Sequence, residues 1–173
     1  KGLFLLTFSL IQLLEAVIWF SIENQNNKLN STTTSLVLLA LWLQPIVNCF
    51  CAFHFGHVTY FKYFLIGLLL IFLDSLRRVL FSDEKFKSVV GPNNHLVWLS
   101  NAKHSFLGFE PSSFVYFVGL CLPIFYMQNN VGPLIVMLST VSWSYYNYWM
   151  TKEFSSMWCF SAASLAIVYS LFE

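Results

Sequence analysis

Six long apolar runs dominate the chain, and short polar breaks separate them. A helix that crosses a bilayer needs about 20 mostly apolar residues, and the runs are near that length. The pattern predicts spans over residues 2–22, 33–53, 58–73, 112–127, 131–150 and 154–172. The first closes at Glu23 and the polar run Asn24-Gln25-Asn26-Asn27-Lys28. The second carries Gln44-Pro45 at its middle, where a missing backbone donor predicts a kink. A short turn around Gly56 makes spans two and three an antiparallel hairpin. Span four has Pro123 near its end, and span five finishes in the aromatic run Trp143 to Trp149, as at a membrane boundary. Span six holds Ser161, Ala162, Ala163, Ser164 and Ala166. Ala162 and Ala166 are four apart and share a face on which a neighbouring helix can pack closely. The expected fold class is all-α: one transmembrane helix bundle over residues 1–173.

Residues 74–111 form the one long connection. Leu76, Val79, Leu80, Phe86, Val89 and Val90 recur there at near-helical spacing, which predicts a helix lying in the membrane interface. Gly91-Pro92-Asn93-Asn94 breaks that pattern. His95-Leu96-Val97-Trp98-Leu99 follows as an apolar patch expected to dip into the interface.

Composition agrees with lipid as the solvent. Of 173 residues, 57% are hydrophobic and 10% charged, against roughly 25% charged in soluble domains. The net charge of +1 and the lack of a basic stripe give no sign of a nucleic-acid partner. Cys49, Cys51, Cys121 and Cys159 all fall in apolar runs and read as small packing residues rather than a disulfide framework. The chain begins with Lys1 directly before an apolar run that lacks the parts of a signal peptide. A native segment ahead of Lys1 is therefore expected.

Lysine and arginine in short loops set orientation. Lys28, Arg77, Arg78, Lys85, Lys87, Lys103 and Lys152 lie in the first, third and fifth loops, and only Lys1 and Lys62 lie opposite. This puts loops 23–32, 74–111 and 151–153 on the cytoplasmic-equivalent side. Asn30-Ser31-Thr32 matches a glycosylation sequon, but on that side it would stay unmodified.

Polar residues inside spans are costly, and they mark either function or helix packing. Glu15 is the only acid deep in a span, with Gln12 and Trp19 on the same helical face. Its alternatives are a proton or cation relay, a ligand contact, or a hydrogen-bonded lock between helices. Gln44 and Asn48 share a face of span two; they either bond across a helix interface or join Glu15 in one polar cluster. Cys49, Cys51, His54 and His57 suggest a metal, but one helix cannot present all four as a tetrahedron, so none is expected. His95 and His104 have no catalytic partner at a recognisable spacing, and no nucleophile, zinc or phosphate motif is present. No lysine stands mid-span in a late helix to hold retinal. The sequence calls for no cofactor.

Several stretches resemble an uncharacterised family of multi-span membrane proteins, of about seven helices, from large DNA viruses and some microbes. They are Gln12-Leu13-Leu14-Glu15 with Trp19, Leu43-Gln44-Pro45, His95-Leu96-Val97-Trp98, Pro111-Ser112-Ser113, and Ser156-Met157-Trp158-Cys159-Phe160. The resemblance implies a further span before Lys1 and gives weight to His95, Trp98, Trp158 and Cys159 as interface or packing residues, alongside Ala162 and Ala166. It implies no activity. The function expected is a non-catalytic accessory or structural membrane subunit of a viral or organellar assembly. Its partners would be the lipid bilayer and other membrane subunits. The alternatives are a small proton or ion channel or transporter around Glu15, and an intramembrane enzyme in which His95 or His54 meets a second catalytic group.

Overall fold

The computed structural model describes residues 2–55, 58–81, 86–100, 111–125 and 131–171, with side chains described over 6–55, 58–81, 86–99, 115–125, 132 and 134–163. Most of the described chain is helical. The helices are α1 (Gly2–Glu23), α2 (Asn27–His54), α3 (Phe61–Phe81), α4 (Pro111–Ile124), α5 (Val131–Tyr148) and α6 (Phe154–Leu171). Two of them, α1 and α2, are long and apolar enough to cross a membrane.

The polar run after α1 makes a sharp reversal. Gln25 is left-handed (φ 53°). Asn26 N–H donates to Ser21 O at 2.8 Å and Gln25 N–H to Ile22 O at 3.0 Å, the paired bonds of a Schellman end. Asn26 then caps α2, its side chain accepting from Leu29 N–H at 3.0 Å. α2 runs without interruption through Pro45.

The long connection differs from expectation. Leu76, Val79 and Leu80 are the last turns of α3, which runs on to Phe81. Phe86, Val89 and Val90 lie in a strand, β1 (Phe86–Val90), paired antiparallel with β2 (Leu96–Ser100). The interfacial helix is thus replaced by a helix extension and a β-hairpin. Two causes are local. Val89, Val90, Val97 and Trp98 favour strand. Pro92-Asn93-Asn94 supplies a three-residue turn, with Asn94 left-handed (φ 59°), Asn94 N–H bonded to Gly91 O, and Gly91 N–H bonded to His95 O to close it. The register pairs Val90 with Leu96 and Ser88 with Trp98.

The hairpin is tucked into the helices rather than laid on them. Leu96 joins Ile11 and Ile18 of α1, Val37 and Ala40 of α2 and Cys159 of α6 in one buried cluster, with Trp19 and Trp98 packed against it. A second cluster joins α2 and α3 through Cys49, Ala52, Phe61 and Leu68. A third joins Tyr116 and Leu120 of α4 to Trp158 of α6, with Ala162 alongside. The outer surface is apolar: Leu13, Phe20, Leu36, Ile66, Leu70, Leu73, Ile135 and Leu138 are all exposed.

Candidate functional site

Three groups of polar side chains stand out in the interior. The first is at Glu15, which is 7% exposed and stands between the fully buried Ile11 and Ile18 on the inward face of α1. Gln12 Nε2 donates to its Oε2 at 3.1 Å. The Ser156 hydroxyl of α6 faces the carboxyl, but Oε1 has no partner in hydrogen-bonding geometry among the described residues. Trp19 stays on this face, partly buried against the cluster that holds Cys159.

The second group is the seam between α2 and α4. Gln44 and Asn48 are both 0% exposed. The Tyr116 hydroxyl donates to Gln44 Oε1. Asn48 Nδ2 donates to Leu120 O at 2.7 Å, and the Cys49 thiol approaches Gly119 O at 3.7 Å. Pro123 explains that last contact: it stands four residues after Gly119 and has no N–H to return, so Gly119 O lacks its helical partner. Gly119 also sets the spacing of the two helices, since a Cβ there would fall 2.7 Å from Pro45 Cβ. No hydrogen bond joins Gln44 or Asn48 to Glu15 among the described residues. Glu15 faces α6, whereas the two amides face α4.

The third group clamps the hairpin, and sequence reasoning did not assemble it. Asn30 is buried; its Nδ2 donates to Ser88 O at 3.1 Å and its Oδ1 accepts from Ser88 N–H at 2.9 Å. Its amide therefore occupies both main-chain groups of Ser88 on the free edge of β1. Thr34 and Ser88 hydroxyls bond at 2.7 Å beside it. The sequon asparagine is fully engaged in this contact.

At the other end of the hairpin stands Glu153, 0% exposed. Its own carbonyl opens α6 by accepting from Met157 N–H at 3.1 Å. Its carboxylate turns away to the hairpin, where Oε1 accepts from the N–H groups of Asn93 (3.0 Å) and His95 (3.2 Å), and Oε2 from Asn93 Nδ2 (2.7 Å). Burial acts to raise this carboxyl. Hydrogen bonds from Thr151, from the Asn93 side chain and from the main chain of Asn93 and His95 outweigh it and hold the carboxyl below its ordinary value. Gly91 makes room: a Cβ there would fall 2.6 Å from Glu153 Cδ.

The other residues singled out in the sequence are placed as follows. The His95 ring stands edge-on to Tyr148 at 5.2 Å, and Trp158 packs on Tyr116, Phe117 and Phe154. Trp98 Nε1 and Trp158 Nε1 have no protein partner among the described residues. His54 stacks on Phe50 at 5.6 Å. The side chain of Ala166, and His57 and His104, lie outside the described residues. Among those residues no three of His, Cys, Asp and Glu gather to hold a metal.

Chemically, the second and third groups join separate segments of the chain through hydrogen bonds, whereas the bond at Glu15 comes from its own helix. Compared with known proteins, the chain matches no family model, no curated protein and no solved structure.

Proposed function

We propose that the protein is an integral membrane protein with about six spans in this chain, acting as a non-catalytic accessory or structural subunit of a larger membrane assembly. The observation that carries this reading is the α2–α4 seam. Gln44 and Asn48 are fully buried mid-helix, and each is bonded to an atom of α4. Between membrane helices such bonds contribute about 0.6 kcal/mol each, up to roughly 1.7. They therefore account for polar residues in an apolar span without a transport path. The apolar exterior supports a lipid environment. Loops 23–32, 74–111 and 151–153 are assigned to the cytoplasmic-equivalent side, and the bonds of the hairpin to Asn30 and Glu153 support one common side for them. Kinship with the uncharacterised viral family belongs to the same proposal, with lipid and other membrane subunits as partners.

A second reading, a small proton or ion channel, draws on one observation. Glu15 Oε1, Gln44 Nε2 and Asn48 Oδ1 are buried without partners among the described residues. Flux of protons and cations into liposomes holding the purified protein separates the two. The subunit reading expects no flux above empty liposomes, and discrete membrane proteins cross-linked to the chain in its native membrane. Flux that Glu15→Gln abolishes, in a variant that still folds, overturns it in favour of the channel.

A further inference from the structure

Three lysines far apart in sequence each adjoin a residue of the two contacts that hold the hairpin. Lys28 stands two residues before Asn30, and Lys87 directly precedes Ser88, the residue that Asn30 holds. Lys152 directly precedes Glu153, which holds the hairpin turn. All three are exposed. None makes an ion pair among the described residues, where the ion pairs join Asp74 to Arg77 and Arg78. Among the described acids, Glu153 is spent on the hairpin and Asp74 on the two arginines, while Glu23 at the end of α1 is exposed and in no ion pair.

Apolar tips stand beside these cations. Tyr146 is 89% and Met150 90% exposed just before Lys152, and Leu80 and Phe81 are exposed just after Arg77 and Arg78. Water does not suit such tips, and a surface with exposed basic groups beside exposed aromatic and aliphatic tips suits the headgroup boundary of a bilayer. The clamps of Asn30 and Glu153 tie the hairpin to the starts of α2 and α6, so they also tie together the backbone positions that carry the three lysines. This is a different role from orientation by loop charge, because it needs the folded hairpin.

We propose that the hairpin end of the protein is a binding surface for anionic phospholipid headgroups, with Lys28, Lys87 and Lys152 as the cations that select them. The proposal rests on the membrane reading above. Each lysine near an anionic surface contributes roughly fivefold in lipid preference.

The test uses the full chain in detergent, offered an equimolar mixture of phosphatidylglycerol and phosphatidylcholine, with bound lipid quantified by mass. Phosphatidylglycerol should be retained in excess. The triple variant Lys28→Gln, Lys87→Gln, Lys152→Gln should lose most of that excess while keeping its thermal stability in phosphatidylcholine. Equal retention of the two lipids, or an excess that survives the triple substitution, overturns the proposal. Displacement of phosphatidylglycerol by millimolar inorganic phosphate also overturns it, since the surface would then take a free anion rather than a lipid. An alkaline carbonate wash of vesicles holding the wild type keeps the two readings apart. If the chain washes off, the membrane reading fails; if it stays but shows no lipid preference, only the headgroup proposal fails.

Discussion

Glu153 offers the sharpest test of how this molecule is held together. Its carboxylate accepts three hydrogen bonds from the hairpin turn, two from main-chain N–H groups and one from the Asn93 amide. A hydrogen bond to a charged group is worth about 1.5–3 kcal/mol, and a neutral one about 1. Glu153→Gln keeps the shape, weakens the two main-chain bonds and sets an NH2 against the Asn93 NH2. A loss of about 2 kcal/mol is expected. Glu153→Ala leaves the Asn93 and His95 N–H groups without a partner and should cost about 4 kcal/mol. Amide hydrogen exchange in detergent reads this directly. Exchange at Asn93 and His95 should speed up about thirtyfold in Glu153→Gln if the turn opens locally.

The same carboxyl predicts a pH dependence. Its folded value lies below the ordinary 4.5. Between the two values the unfolded chain binds the extra proton, so stability rises with pH through that window. The clamp's contribution is fully present above about pH 4.5. It is lost as pH falls through the depressed value, and the glutamine variant should lack this slope. Gly91→Ala should resemble Glu153→Ala, because the new Cβ must displace the carboxylate, and it should cost little more when Glu153 is already alanine. Exchange rates at Asn93 and His95 that change less than twofold in Glu153→Gln would refute the reasoning, as would additive costs in the double variant.

Two further expectations concern the other contacts. Gly119→Ala should lower thermal stability in detergent by about 1–3 kcal/mol, because its methyl meets Pro45; an unchanged melting temperature would mean that α2 and α4 are not in close contact. Asn30→Ala should cost about 2–3 kcal/mol by leaving the buried Ser88 N–H and C=O unpaired, and peptide mapping after expression in glycosylating microsomes should find native Asn30 bare.

The helices were legible because long apolar runs need no partner to declare themselves. The stop after α1 was equally plain in Asn24 to Lys28. The hairpin was not, because Leu76 to Val90 keeps a helical spacing even though the polar Ser82-Asp83-Glu84-Lys85 interrupts it. Gly91-Pro92-Asn93-Asn94 was visible as a break. Read with the β-branched residues on either side it was also a hairpin signal. Glu153 looked like a loop marker, and Asn30 like a sequon. Their partners lie 60 and 58 residues away, and no local pattern carries such pairings. Gly119 does carry a local signal, since a proline four residues later frees its carbonyl for a neighbour.

The three polar groups also bear on which function is physically reasonable. A path that opened and closed near α1, α2 and α6 would have to move the hairpin that packs among them. That movement would break the Asn30–Ser88 pair at one end or the Glu153 bonds at the other. Each break would leave buried main-chain groups without partners, at about 1–3 kcal/mol apiece. The α2–α4 seam resists motion for a different reason: with Gly119 against Pro45 there is no slack through which the helices could slide. These contacts favour one placement of the hairpin and one spacing of α2 and α4. That suits a subunit that presents a fixed surface to lipid and to neighbouring helices better than it suits a gate.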